Sequence, residues 1–299
     1  MRLGPSYHYY RDGDWNLWVL PQYWNPVLWR TVQCSIEEQR PAKHPQTIQL
    51  EIAAPEDKDV FYLKVFHCGS AAGALKDCFR SSKALRALRQ GLALSKTGFN
   101  APLALAAGEQ RRRRRLQRSF LLSQGVSGQP LPVYLYDRWS GNATSLSLLE
   151  KRRSIDRLAA EIRRFHRLGF VHGDLVPSNV FVSMAPGDGI AFYFMDNDRT
   201  RRYPNWIPQA LWRRNLVQLN RFPLPGVSLQ DRMRFLRQYL SKEAWDNKDR
   251  RLISWLEKKT RRRRWVCDHV QSGKSFRELM RWNGPFANDA PASILSQRP

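Results

Sequence analysis

The stretch from Phe165 to Arg199, FHRLGFVHGDLVPSNVFVSMAPGDGIAFYFMDNDR, constrains this chain more than any other. Ahead of it, apolar residues at 155, 158, 159, 162, 165 and 168 recur with a helical period while arginines take the other face. A helix from Ile155 to Leu168 is therefore expected, stopped by Gly169. His172-Gly173-Asp174 opens a polar turn that closes at Asn179, and Val180 to Val182 reads as a short buried strand. The turn APGDG at 185–189 leads into a second strand, Ile190 to Met195, which ends on Asp196 with Asp198 two residues on. The result is a hairpin with polar groups at the mouth of each strand.

Those polar groups have a definite chemistry. Asp174 can accept a proton, Asn179 offers an amide oxygen and Asp196 offers carboxylate oxygens. Magnesium favours hard oxygen ligands and usually takes only one or two carboxylates beside substrate phosphates. The set suits phosphoryl transfer. The bland alternative is an acid-rich turn between a helix and a hairpin; the fixed spacing from Asp174 to Asn179, with strands on both sides, argues against it.

H-G-D-x-x-x-x-N followed by an apolar hairpin and an Asp resembles the catalytic loop and metal-binding Asp of the protein kinase-like superfamily. The resemblance implies an α+β, bilobal fold: a small, mainly antiparallel β N-lobe with one main helix, and a mainly helical C-lobe. It implies ATP and Mg2+ as cofactors. Asp174 becomes the catalytic residue that orients and deprotonates an acceptor hydroxyl, and Asn179 and Asp196 become ligands of magnesium on the nucleotide phosphates, with Asp198 assisting. An alternating, half-buried strand is expected from Thr47 to Ala53 and a second strand from Val60 to Phe66, with Lys64 inside it. Alone, an intrastrand lysine reads as an edge or solvent-facing residue; the resemblance makes Lys64 the cofactor-binding group that meets the phosphates.

On this reading residues 1–123 form the N-lobe with a Trp-rich N-terminal extension, 124–283 the C-lobe with the catalytic loop, and 284–299 a loose tail. Trp15, Trp18, Trp24 and Trp29 are expected in a packed core, within short strands or a cap. Ser119 to Ser123 is expected to end the small lobe, Gln124 to Gln129 to form the hinge, and LPVYLYDRWSG to run as a strand or irregular connection.

The segment LKDCFRSSKALRALRQGLALSKTGFNAPLALAAGEQ, with the strand-like SFLLSQGV after it, is similar to a narrower group, the bacterial lipopolysaccharide core kinases. These phosphorylate Kdo or heptose sugars. LWRRNLVQLN and SLQDRMRFLRQYL resemble the C-terminal helices of the same group. The acceptor implied is a sugar hydroxyl of the lipopolysaccharide inner core, and the implied location is cytoplasmic, peripheral on the inner face of the inner membrane. Three features depart from protein kinases. No GxGxxG precedes Lys64, no Phe-Gly follows Asp196, and the expected helix from Leu75 to Lys96 holds no Glu, its one acid being Asp77. The partner of Lys64 is thus open. An atypical protein or small-molecule kinase, and a non-catalytic basic adaptor, stand as alternatives.

Charge narrows the partner class. Among 299 residues, 50 Lys and Arg against 26 Asp and Glu give +24, a field that calls for an anionic partner: lipopolysaccharide core or another anionic glycolipid, an anionic membrane surface, or nucleic acid. Arg111 to Arg115 reads either as a solvated loop joining two strands or as a patch for phosphate-rich headgroups. Arg199, Arg201 and Arg202 could hold an anionic acceptor or form a solvated loop. The segment from Lys248 to Val270 reads as a basic helix whose Arg261 to Arg264 and Trp265 suit a membrane, a nucleic acid or a simply solvated surface. No apolar run reaches the length of a membrane span, and MRLGPSYHYYRDGDW lacks the apolar core of a signal peptide. Cys34, Cys68, Cys78 and Cys267 have no metal-ligand spacing and are expected as reduced thiols.

Overall fold

Two-residue periodicity dominates the first part of the chain and becomes a sheet. The computed structural model describes residues 6–40, 45–53, 58–67, 80–113, 115–139, 148–185, 189–204, 210–221, 224 and 226–267. By internal contacts the chain divides into two compact units, residues 1–127 with 194–200, and residues 128–193 with 201–299.

In the first unit, β1 (His8–Asp12), β2 (Trp15–Val19), β3 (Gln46–Ala53), β4 (Lys58–His67), β5 (Ala104–Arg112) and β6 (Arg115–Gln124) form one sheet in the order β1-β2-β5-β6-β4-β3. Every neighbouring pair is antiparallel. Along β4, Phe61, Leu63 and Val65 are buried in the core, which leaves Tyr62, Lys64 and Phe66 on the opposite face. Trp15, Trp29 and Phe120 pack with ring centroids 5.5 to 5.9 Å apart, and Gly108 sits opposite Phe120 because a Cβ there would lie 2.2 Å from its ring. Trp15 and Trp18 are buried, with Trp24 and Trp29 packed against the same cluster.

Among the described residues two helices complete this unit, one of them not expected. α1 (Pro26–Glu37) follows Asn25, whose side chain accepts from the Leu28 amide at 2.8 Å; Pro26 occupies the first turn, and Leu28, Val32 and Ile36 bury one stripe. α2 (Lys83–Lys96) starts later than the expected Leu75, because Ser82 caps it by accepting from Leu85 N at 3.1 Å. Asp77, Cys68 and Cys78 lie outside the described residues. The arginine run also differs from a plain loop. Arg111 and Arg112 still pair, with Leu116 and Arg115, so the strands continue into it because Leu116 has a buried site to fill; Arg113 alone takes a left-handed conformation at the tip. Arg114 lies outside the described residues.

The second unit is largely helical. α3 (Leu131–Trp139) replaces the expected strand or irregular connection: Leu131, Tyr134 and Leu135 are buried at i, i+3 and i+4, and Pro132 sits in the first turn where it costs no hydrogen bond. α4 (Leu148–Arg167) covers the expected helix and starts a further turn and more upstream, burying Ile155, Leu158, Ala159, Ile162 and Phe165. β7 (Gln129–Pro130), β9 (Val180–Ala185) and β10 (Gly189–Phe194) make a small sheet in the order β10-β9-β7, while β8 (Phe170–Val171) pairs with β11 (Arg201–Arg202). α5 (Ala210–Leu219), α6 (Leu229–Leu240) and α7 (Asn247–Cys267) follow. Ser228 and Asp231 form a reciprocal cap on α6. The 284–299 tail, and the side chains of Arg264, Trp265 and Cys267, lie outside the described residues; Cys34 is an exposed free thiol.

Candidate active site

The loop from His172 to Asn179 is aimed by the end of α4. Gly169 takes φ +84°, its amide closing the helix on His166 O at 2.9 Å and its carbonyl accepting from Tyr203 N at 2.7 Å. A Cβ at Gly169 would stand 2.0 Å from the Tyr203 carbonyl oxygen, so glycine is required twice over. The chain then passes through β8 into the loop. Asp174 N donates to His172 Nδ1 at 3.1 Å and Val176 N donates to Asp174 O at 2.9 Å. Asn179 Nδ2 donates to the same Asp174 carbonyl at 2.9 Å, which ties both ends of the loop together and leaves the amide oxygen as the atom Asn179 can offer outward.

Beneath the loop lies a buried polar network. Asn215 Oδ1 accepts from His172 N at 2.9 Å and Asn215 Nδ2 donates to His172 O at 2.6 Å. Asn215 Nδ2 also donates to Gln218 Oε1 at 2.9 Å. Gln218 Oε1 accepts from Leu175 N at 3.3 Å, and Gln218 Nε2 donates to Gly173 O at 3.2 Å and, at a long 3.4 Å, to Asp174 Oδ1. Asn215 Oδ1 faces His166 Nε2 at 3.2 Å, and His166 Nδ1 lies 2.8 Å from the Tyr239 hydroxyl. Burial lowers the His166 imidazole to about 4 against a smaller opposing contribution from the Asn215 hydrogen bond, and burial pushes the Tyr239 phenol up. His166 is therefore neutral at pH 7. A neutral ring facing an amide oxygen at Nε2 carries its proton there, which makes Nδ1 the acceptor of the Tyr239 proton.

In the first unit, Lys64 Nζ donates to Asp196 Oδ1 at 2.6 Å across 132 positions of sequence. Lys64 also lies 5.5 Å from the Phe66 ring centroid, its neighbour on the same strand face. Asp196 takes a left-handed conformation, φ 55° and ψ 56°, which turns its carboxylate out of the strand direction. The backbone around it is pinned. Phe194 N donates to Asn100 O at 3.0 Å, the Phe194 ring meets Phe99 edge-on at 5.9 Å, and Asn197 Nδ2 donates back to Phe194 O at 2.7 Å. Thr200 Oγ1 in turn holds Asn197 Oδ1 at 3.0 Å. Asp198 is buried; burial first, then the Asp196 carboxylate, raises its carboxyl above the usual range, with Lys64 and Arg199 opposing.

The donor chemistry around Asp196 fits a hard divalent cation. Asp196 and Asp198 are neighbouring carboxyl groups beside the Lys64 ammonium, and Asp198 is raised by burial first and by the Asp196 carboxylate second. Asp196 is partly exposed, so the oxygens a magnesium ion prefers are accessible.

Of the residues singled out by sequence, Lys64 and Asp196 are in direct contact, with Asp198 beside them, and Asp174 and Asn179 are joined through the Asp174 carbonyl. The partner of Lys64 is Asp196; α2 carries no acid between Lys83 and Lys96. Asn215, Gln218, His166 and Tyr239 were not singled out. The signal for Asn215 and Gln218 is the run LWRRNLVQLN, where two amides spaced i, i+3 sit among apolar residues on a helix that buries them completely.

The model of the lipopolysaccharide kinase (Kdo/WaaP) family matches residues 64–239, more than half of the chain. A sequence search of curated proteins finds no match. Among solved structures, WaaP in complex with acyl carrier protein is similar at TM-score 0.57 and 18% identity, over 79% of this chain and 92% of that one. At that identity the likeness concerns the fold, and the chain has the two-lobed α+β, protein kinase-like arrangement. The Rio2 kinase–ADP/Mg2+–phosphoaspartate complex from Chaetomium thermophilum covers 86% of this chain and 82% of that one, at 12% identity and TM-score 0.40.

Proposed function

The chain belongs to the lipopolysaccharide kinase (Kdo/WaaP) family, and from that premise we propose that it transfers the γ-phosphoryl group of ATP, with Mg2+, to a sugar hydroxyl of the lipopolysaccharide inner core, on Kdo or heptose. The observation that carries the reading is the Lys64–Asp196 contact at 2.6 Å: two motif residues 132 positions apart meet as an ammonium on a carboxylate. Asp174 accepts the proton of the acceptor hydroxyl at its carboxylate. Asn179 and Asp196 would hold the metal, with Asp198 assisting, and when bound the metal would neutralise phosphate charge. Lys64 uses one of its three N–H donors on Asp196 and has others for phosphate oxygens. Alignment and charge stabilisation do the work, since phosphoryl transfer asks for little covalent chemistry from the protein.

Net charge of +24 supports an anionic glycolipid acceptor and an anionic membrane surface. No helix among the described residues is long and apolar enough to cross a membrane, and we place the enzyme at the inner face of the inner membrane as a peripheral protein. The acyl carrier protein bound to the solved relative adds a further proposed partner. The helical unit holds a cavity of about 440 Å³, lined largely by apolar groups such as Leu131, Leu135, Leu158, Phe192 and Leu236, of a size and chemistry that suit an acyl chain.

The test is incubation of the full chain with labelled ATP, magnesium and purified lipopolysaccharide. Label should enter the glycolipid, and Asp174→Asn should lower the rate by about 100-fold or more while nucleotide binding survives. Label on added peptide and none on glycolipid, or full activity in Asp174→Asn, would overturn the assignment.

A further inference from the structure

We propose that Asn215 and Gln218 on α5 are positioning residues that set the orientation of Asp174. The inference rests on the reading of Asp174 as the base. Two adjacent turns of one helix hold four consecutive residues of the loop. Asn215 takes both backbone groups of His172, and Gln218 takes the carbonyl of Gly173, the amide of Leu175 and an oxygen of the Asp174 carboxylate. The backbone on each side of Asp174 is thereby fixed by the same side chain that touches its carboxylate. Both amides are buried, with relative exposures of 0% and 2%, so their removal leaves the loop's buried backbone groups without these partners.

The donors run in one direction. The Tyr239 hydroxyl donates to His166 Nδ1, His166 Nε2 to Asn215 Oδ1, Asn215 Nδ2 to Gln218 Oε1, and Gln218 Nε2 to Asp174 Oδ1. A primary amide can be rotated to exchange its nitrogen and oxygen, and this order removes that freedom at both positions. If Asn215 turned over, its NH2 would face two other donors, the His172 amide and the imidazole N–H. If Gln218 turned over, its oxygen would face the Gly173 carbonyl and the Asp174 carboxylate. His166 and Tyr239 thus act from a distance, by holding the orientation of Asn215.

Gln218→Met keeps the volume and deletes both polar atoms, and Val217→Ala, on the same helix and buried, serves as the packing control. In the full chain with labelled ATP, magnesium and lipopolysaccharide, Gln218→Met should lower kcat by about 10- to 100-fold with KM for MgATP within twofold of the unsubstituted chain. Backbone hydrogen exchange of the 170–180 segment should rise in Gln218→Met and Asn215→Ala, since the Leu175 and His172 amides lose their acceptors. Val217→Ala should lower Tm and leave kcat within twofold. An unchanged kcat in Gln218→Met, a loss of kcat matched by Val217→Ala, or unchanged exchange in the loop would each overturn the proposal. Absence of transfer by the unsubstituted chain would instead remove the proposed function, and the exchange data would still report whether α5 anchors the loop.

Discussion

Acid should weaken the helical unit through one residue, His166. Its imidazole sits against the Tyr239 hydroxyl, the Asn215 amide and, stacked at 6.1 Å, the Trp212 ring. None of these three neighbours carries a charge that would stabilise an imidazolium. Burial lowers the group from 6.5 to about 4. As pH falls through 6.5 the unfolded chain takes up a proton that the folded chain refuses, so stability falls with pH, and the loss is complete only once the folded ring titrates near 4. The full difference corresponds to about 3.5 kcal/mol at about 1.4 kcal/mol per pKa unit, of which about 2 kcal/mol is gone by pH 5. At an unfolding entropy of about 2.1 cal/mol/K per residue over 299 residues, that is a Tm shift of about 3 °C. Other groups titrate in the same window, so the measurement is the difference between two pH profiles, those of the unsubstituted chain and His166→Gln. Glutamine does not titrate and can still donate to Asn215. His166→Gln should start lower at pH 7, having lost the ring, yet lose less Tm between pH 7 and pH 5. Parallel profiles would show that the imidazole is already charged in the folded state or solvated, and the orientation assigned to Asn215 would lose its support.

Gly169→Ala should destabilise by about 2 to 4 kcal/mol in denaturant titration, combining the left-handed backbone cost with the displacement of the Tyr203 carbonyl; a loss below about 1 kcal/mol would mean that the helix end relaxes freely. Asp196→Asn keeps a side chain that tolerates the left-handed conformation and removes the charge. It should lower magnesium-dependent binding of a fluorescent ATP analogue at least tenfold, and binding at unsubstituted strength would remove Asp196 from the metal site.

The fold class was legible because its signals are local and repeated. The apolar run VFYLKVF around Lys64 carries the strand, and the HGDLVPSN spacing carries both the loop and the superfamily resemblance. What escaped did so for physical reasons. α3 opens with Leu-Pro and holds two tyrosines, which read as extended chain until the burial of Leu131, Tyr134 and Leu135 overrides them. The arginine run reads as loop by charge alone, yet strand pairing needs only backbone groups and a buried Leu116 to carry Arg111 and Arg112 along. α1 carried readable signals in Asn25 and Pro26, masked by the surrounding tryptophans. Asn215 and Gln218 were illegible for a deeper reason. A buried amide looks like any surface amide until its partners, some 43 to 49 residues away in sequence, are in place.

The missing helix acid and the Lys64–Asp196 pair are two sides of one charge problem. A lysine on the polar face of β4 needs a counterion, and α2 has none between Lys83 and Lys96. Asp196 supplies it from the end of β10, reached by a left-handed backbone turn that the Asn197 and Thr200 hydrogen bonds hold in place. Buried Asp198 then adds a second negative charge that the same ammonium compensates only in part. Arg199 opposes that charge as well. On the proposed reading a divalent cation would add to this compensation, and Lys64 would hold Asp196 as well as donate to phosphate. Lys64→Met should weaken magnesium-dependent binding of a fluorescent ATP analogue about tenfold, and should raise the Asp198 carboxyl further by removing one of the two cations, Lys64 and Arg199, that oppose its rise. Retention of binding at unsubstituted strength in Lys64→Met would mean that the carboxylates need no cation, and the pairing would then be incidental to the site.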